Sequence, residues 1–278
     1  MRRMVTALRW GSGNLAKTPA VVGNAMPKSG SHLIIQVLRG LAQLGSFVNP
    51  GFPPLNRFED NSILKDADIL RNIQQMRPGD IAYGYIHARE PFITALTAPT
   101  SPTPRATPRA SVFVYRDPRD MVVSHVFYAT QIHTGHGMHH YYTEVLQSMG
   151  ERIQAAIQGV TEPGSVLPGV STRYANYLGW LEQPLVLCLR FEDLILEREV
   201  ALGRLLDYLA GRGFTPNISR ARSIEVLTEA IVPRKSGTFR KGQPGNWREH
   251  FTPENKDLFK KLAGDLLIKL GYEKNNDW

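Results

Sequence analysis

An apolar run, Val21 to Met26, breaks at Pro27-Lys-Ser-Gly-Ser31 and resumes as Leu33-Ile-Ile-Gln-Val-Leu38. Length and apolar character suit a buried strand before the break and a helix after it, with Pro and Gly marking the turn. The backbone N–H groups of Ser29 to His32 then fall at a helix N-terminus with no intrahelical partner, where an anion is stabilised. Gly30 permits close approach and Lys28 adds a point charge. An ordinary strand-to-helix turn with no ligand would use the same residues.

The rest of the chain repeats this alternation, the pattern of an α/β fold with a central parallel sheet flanked by helices. Strands are expected at Val21 to Met26, Ile81 to His87, Ser111 to Arg116 and Leu185 to Arg190. Helices are expected at Gly30 to Leu44, Leu64 to Met76, Arg89 to Leu96, Asp120 to Thr130, His140 to Gln158, Thr172 to Leu181, Glu197 to Leu209 and Pro253 to Leu270. One domain over 1–278 is the reading, preceded by an N-terminal extension over 1–20. A Pro-rich loop is expected over 97–110, where Pro99, Pro102, Pro104 and Pro108 exclude a helix or central strand, and Pro50 to Pro54 marks a second loop. Gly11-Ser-Gly-Asn-Leu-Ala-Lys-Thr18 approximates a Walker A spacing but runs into Pro19, so it reads as N-terminal coil.

A net charge of +8 favours an anionic partner without choosing among nucleotide, nucleic acid and membrane surface. No apolar stretch approaches the roughly 18 residues of a membrane span, and a cytoplasmic protein is expected. The single cysteine, Cys188, lies in the apolar run Leu185 to Leu189, which reads as a core thiol and excludes an internal disulfide framework.

A second candidate anion site is Val114-Tyr-Arg-Asp-Pro-Arg-Asp-Met-Val-Val-Ser124, with Arg116 and Ser124 around another strand-to-helix turn. Arg116 can offer forked, charge-assisted hydrogen bonds to a phosphate, and Ser124 a neutral one. A salt bridge from Arg116 to Asp117 or Asp120, and a back-bond of Ser124 to its own helix, are the alternatives. Arg240-Lys-Gly-Gln-Pro-Gly-Asn-Trp247 is a third basic, Gly-containing segment.

With these three motifs in this order, from about Val21 to Phe251, the chain resembles the PAPS-dependent sulfotransferases, whose sheet is like that of the P-loop nucleotide kinases. The resemblance implies that Lys28, Ser29, Gly30, Ser31 and His32 hold the 5′-phosphosulfate of PAPS. It likewise implies that Arg116, Ser124, Arg240, Lys241 and Gly242 hold the 3′-phosphate, with PAP as product and no metal required. Phe191 stands where the family's Tyr-Glu-Asp motif has Tyr and can stack on the adenine, with Ser223 as a further wall residue. Leu33 falls where a stacking Trp is common. His87 matches the catalytic histidine of a Lys-Thr-His segment, although Tyr85 replaces the Lys. Catalytic roles then fall to His87 as base and to Lys28 and Ser124 at the leaving phosphate, in an in-line displacement. An ordinary pKa of about 6.5 suits a histidine to that task near neutral pH.

The implied acceptor is a small molecule bearing a hydroxyl or, less readily, an amine, such as a specialised metabolite, lipid or glycoside. His133-Thr-Gly-His-Gly-Met-His-His140 has closely spaced imidazoles, but Gly135 and Gly137 break their register and no carboxylate pair adjoins, so a lid over 131–140 is expected and a metal site is not. Trp247 is read equally as pocket or core. The family's dimerisation pattern would fall on Arg248 to Asp257, where Pro253 disrupts it, so oligomeric state stays open. A P-loop kinase or NTPase, a nucleic-acid-binding module, with no stacking motif to support it, and a nucleotide binder without catalysis are the rival readings.

Overall fold

The computed structural model describes residues 1–48, 54–58, 62–98, 109–235 and 241–278. In chain order the elements are α1 (Arg2–Trp10), α2 (Ser12–Lys17), β1 (Ala20–Ala25), α3 (Ser31–Leu44), α4 (Asp66–Gln74), β2 (Ile81–Gly84), α5 (Phe92–Thr97), β3 (Arg109–Tyr115) and α6 (Pro118–Phe127). They continue as α7 (Met149–Gln158), β4 (Val160–Glu162), β5 (Ser165–Leu167), α8 (Val170–Leu178), β6 (Val186–Arg190), α9 (Phe191–Leu196), α10 (Arg198–Ala210), α11 (Arg220–Ala230) and α12 (Pro253–Lys269). Two compact units result: Met1–Tyr115 with Tyr177–Ser236, and Arg116–Asn176 with Gly237–Trp278.

The first unit holds the expected parallel sheet, in the order β2-β1-β3-β6. Every pairing is parallel, with Val21 opposite both Ile81 and Ala110, and Phe113 opposite Cys188. β1 is buried on both faces, which explains its unbroken run of small and apolar residues. The order reverses direction at β1, and the carboxyl ends of strands at such a reversal are where open α/β sheets take ligands. α3 lays Ile34, Val37, Leu38 and Leu41 on the sheet, all fully buried. Each such side chain contributes about 1.5–3 kcal/mol. α11 then packs on α3 at Gly40, where an added Cβ would stand 2.9 Å from the Cβ of Ala230.

One buried polar residue fixes the carboxyl end of this sheet. Asn24, near the end of β1, accepts from the Ile86 N–H at 2.8 Å and donates to the Ile86 carbonyl at 2.9 Å. The segment after β2 is thereby held in place although it has left the sheet: β2 stops at Gly84, not at His87 as the apolar pattern suggests.

In the second unit α6 is buried along most of its length. Asp117 caps it by accepting from the Arg119 N–H, and Pro118 stands in its first turn, where a missing N–H costs nothing. A π-helical turn, Tyr128–Ile132, follows. The helix expected from His140 to Gln158 is instead a π-helical turn, Tyr141–Val145, and α7, because Ser148 and Glu151 form a capping box that starts a new helix. β4 and β5 make a small antiparallel hairpin, and α12 begins with a capping box of Thr252 and Asn255, Asn255 also donating to the Gly150 carbonyl.

Other differences are local. The N-terminal extension is not coil: α1 and α2 occupy it, and the Walker-like residues lie on α2. β3 starts at Arg109, inside the expected Pro-rich loop, and Thr97 ends α5; residues 99–108, like Pro50 to Pro53, lie outside the described residues. Among the described residues no helix is long and apolar enough to cross a membrane.

Asn24→Ala would strand the Ile86 N–H and remove a buried amide. We expect it to cost about 2–4 kcal/mol of unfolding free energy in urea titrations; a change within 0.5 kcal/mol, roughly the size for an ordinary surface substitution, would refute the anchoring role.

Candidate functional site

In the first unit the loop from β1 to α3 has the geometry expected of an anion cradle. Lys28 takes a left-handed conformation (φ 67°) and Gly30 another (φ 98°), the second forming the N-cap of α3. No side chain caps that helix, but of the four N–H groups expected to lack a partner, that of Ser29 donates to the Met26 carbonyl at 3.1 Å, closing the turn before the helix begins. Ser29 is fully buried and Ser31 nearly so, whereas the His32 side chain is exposed, which leaves His32 its backbone N–H for a ligand. A Cβ on Gly30 would stand 2.7 Å from Cδ2 of Phe191. Phe191 is buried in the hydrophobic core beneath the loop, so its ring supports Gly30.

Tyr85 joins the loop to the segment after β2. Its hydroxyl donates to Ser31 Oγ at 3.0 Å, and its backbone is held by Asn56, which accepts from the Tyr85 N–H at 3.1 Å and donates to its carbonyl at 3.0 Å. His87 follows two residues later, half-buried, its ring edge-on to Tyr177 with centroids 5.1 Å apart. Trp180 Nε1 donates to the Ile86 carbonyl at 2.8 Å and further fixes the preceding peptide. Burial, then the Arg89 cation, lower the His87 pKa below its ordinary value, and Asp66 opposes them. His87 therefore stays neutral at pH 7, the form that can accept a proton. Ser223 is fully buried on α11 and donates to the Ser219 carbonyl at 2.9 Å, a helix back-bond. Burial raises the Cys188 thiol to about 11, which keeps it protonated, although the residue is half-buried on β6 at the end of the sheet order and not the core thiol expected.

In the second unit Arg116, buried, opens the turn into α6. Tyr174 donates through its hydroxyl to the Arg116 carbonyl at 2.7 Å. The Arg116 guanidinium reaches the Gln243 carbonyl at 3.3 Å and Asp120 at 3.5 Å, the latter too long for a strong ion pair. Ser124 is half-buried on α6. Arg240 lies outside the described residues; Lys241 forms an exposed ion pair with Glu249, and Gly242 takes a left-handed conformation (φ 62°).

Two residues of this unit have tasks the sequence reading did not assign, although it named Asp120 as a possible partner of Arg116. Asp120, buried, accepts from the Gly245 N–H at 2.7 Å and from the Trp247 N–H at 2.8 Å, so it ties the C-terminal basic segment to α6. Burial raises its pKa, with Arg116 and those two N–H groups acting the other way. Arg119 pairs with Asp117 at 2.7 Å and Glu273 at 2.6 Å, its guanidinium lying over the rings of Trp247 (4.0 Å) and Trp278 (4.5 Å). Trp247 is thus core, packed also on Phe251. The Asp-x-x-Asp spacing of 117 and 120 was the available signal, but it does not say which carboxylate faces which partner.

The His-rich segment carries an aromatic cluster: His136 lies 5.1 Å from His125 and 5.8 Å from Tyr128, ring to ring. Met138 and Tyr142 are buried. Among the described residues no group of histidine, cysteine or carboxylate side chains has a metal-binding arrangement.

Comparison with known proteins supplies the class. The Sulfotransferase domain family model matches residues 20–271, across both units, and the chain therefore belongs to the sulfotransferase family, enzymes of sulfonate transfer. Among curated proteins no sequence matches the chain. Among solved structures, mouse sulfotransferase SULT7A1 complexed with PAP is similar with a TM-score of 0.56 at 16% identity, over 94% of this chain and 89% of that one. Retinol dehydratase in complex with androsterone and inactive cofactor PAP gives a TM-score of 0.60 at 14% identity, over 91% and 83%. Its complex with retinol and PAP gives 0.54 at 17%, over 91% and 84%.

Asp120→Ala removes both acceptors of the C-terminal segment. The expected result is loss of about 2–4 kcal/mol of stability with faster hydrogen exchange at the Gly245 and Trp247 amides; unchanged exchange at both would refute the tie.

Proposed function

We propose that the protein transfers the sulfonate of PAPS to a hydroxyl of a small-molecule acceptor, releasing PAP. The observation that carries this is the uncapped α3 N-terminus behind the left-handed Lys28 and Gly30, in a chain of the sulfotransferase family. Gly30, Ser31 and His32 offer backbone N–H groups and Lys28 a cation to the phosphosulfate end, whereas the Ser29 N–H is held by the Met26 carbonyl at 3.1 Å. Arg116 and Ser124, with Arg240, Lys241 and Gly242, take the 3′-phosphate, whose charge selects a guanidinium fork. Phe191 and Ser223 are so buried that their share in the adenine wall is limited to what a small opening of the core exposes.

PAPS supplies the sulfonate and a phosphate leaving group. His87 accepts the proton of the acceptor hydroxyl as the oxygen attacks sulfur, and Lys28 and Ser124 stabilise the negative charge on the departing phosphate. Tyr85, neutral where relatives have Lys, places Ser31 by its hydrogen bond and leaves Lys28 to carry more of that charge. The segment 131–140 lines the acceptor side as a lid. The androsterone and retinol in the retinol dehydratase structures give the acceptor class its support: apolar molecules of modest size, each with a hydroxyl. A cytoplasmic location accords with a nucleotide co-substrate.

The direct test is thermal stabilisation by 3′,5′-adenosine bisphosphate against 5′-AMP and ATP, without metal, for wild type and Arg116→Ala. A ligand at 100 times its Kd adds about 2.7 kcal/mol to the native state. The bisphosphate should raise Tm selectively and the variant should lose the shift; an equal shift with ATP would return the kinase reading. With a phenol or alcohol acceptor and PAPS, His87→Ala should lower kcat roughly 10²–10⁴-fold. The acid limb of wild-type kcat/KM should fall below pH 6.5, because burial lowers the pKa of His87 and keeps it unprotonated further into acid. An acid limb unmoved by His87→Ala would remove the base assignment.

A further inference from the structure

α1 is amphipathic, and its orientation is the reverse of that of an ordinary surface helix. Arg3, Thr6, Ala7 and Trp10 are half-buried on one side, while Met1, Met4, Val5 and Leu8 lie together on the opposite side. The four follow an i, i+3, i+4, i+7 spacing, one continuous face. Their exposure is high, 63% for Met4 and 80% for Leu8. No residue of α1 is fully buried.

The helix is nevertheless fixed. Arg3 pairs with Asp80 at 2.7 Å and donates to the Pro78 carbonyl at 2.6 Å, and Leu15 of α2 packs so closely on Gly79 that an added Cβ there would stand 2.5 Å from Leu15 Cδ1. A face held outward by a polar clamp is not a core face waiting to fold inward. Its ordering cost is met before any partner arrives.

Charge identifies the partner. Arg2 and Arg9 follow each other along the border of the apolar face, Lys17 is exposed on the next helix, and the first acidic residue of the chain is Glu59. Asp80, an acidic group from another element that reaches α1, is engaged by Arg3. Apolar side chains bordered by cations with no ion pair among the described residues suit an anionic lipid surface, where side chains enter the acyl boundary and arginines meet headgroups. A stable protein interface takes about 600–1,000 Å² from each partner, on roughly 20–30 residues a side, against the four apolar side chains of this face. We propose that α1 is a preformed interfacial helix that seats this chain on anionic membranes, independently of the sulfonate-transfer reading.

The test is co-flotation of the full chain with phosphatidylcholine vesicles containing about one third phosphatidylglycerol, against pure phosphatidylcholine. The wild type should bind the anionic vesicles at least tenfold more tightly and be released by high salt, as the screened arginine contribution requires. Leu8→Asp should abolish flotation, and Arg2→Glu with Arg9→Glu should reduce it to the level on neutral vesicles. Val166→Asp, an equally exposed apolar position on β5, should float as the wild type does. Circular dichroism and Tm confirm that each variant is folded. Failure of the wild type to float, or flotation retained by Leu8→Asp, overturns the proposal. Self-association in sedimentation velocity that Leu8→Asp removes, with no vesicle binding, would assign the face to a second copy and overturn it equally.

Discussion

A buried carboxamide that donates to and accepts from one peptide is a directional clamp, and Asn24 is placed where the sheet most needs it. The ladder between β1 and β2 ends at Gly84, yet the chain beyond carries Tyr85 and His87. Two hydrogen bonds from Asn24 and one from Trp180 stand in for the missing ladder at Ile86. Without them the peptide before His87 would leave buried polar groups unpaired, at a cost comparable to a sizeable part of a domain's net stability. The Tyr85 hydroxyl on Ser31 and the edge-on contact of His87 with Tyr177 both depend on that peptide.

The sheet and the turn from β1 into α3 were legible because their physics is local. A buried parallel strand must be an apolar run, and a helix that opens on Gly after Lys and Ser declares its free N-terminus, so β1, α3 and the turn between them fall within a residue of expectation. Ends of elements were less legible where side chains far apart in sequence decide them. β2 stops early because Asn24, 62 positions from Ile86, satisfies its backbone. β3 starts early because Arg109, which reads as a loop residue, is buried and donates to the carbonyls of Ala95 and Ile73. The helix expected over 140–158 breaks on a capping box that the apolar periodicity passes over.

The second unit shows how motif residues with the same charge take different tasks. Arg116 and Arg119 flank one Pro in the sequence. Arg119 is saturated by Asp117, Glu273 and two indole rings, a fully desolvated pair that would be costly to break. Arg116 has a long contact to Asp120 and a carbonyl. In the proposed function the phosphate falls to Arg116, because the Arg119 guanidinium is committed to the fold. No spacing rule distinguishes them; Trp278 and Glu273, from the far end of the chain, do.

Tyr85 has a consequence for how the protein discriminates among anions. Where the family resemblance implies an ammonium, this chain has a phenol that donates to Ser31. Attraction by net charge is non-directional and fades with ionic strength, whereas hydrogen bonds from fixed donors are short-ranged and demand shape. With one cation fewer beside the α3 N-terminus, the balance moves toward geometry. In the proposed function, affinity at that loop then varies less with salt and more with the exact placement of the ligand's oxygens, and a poorly shaped polyanion gains little from its charge alone.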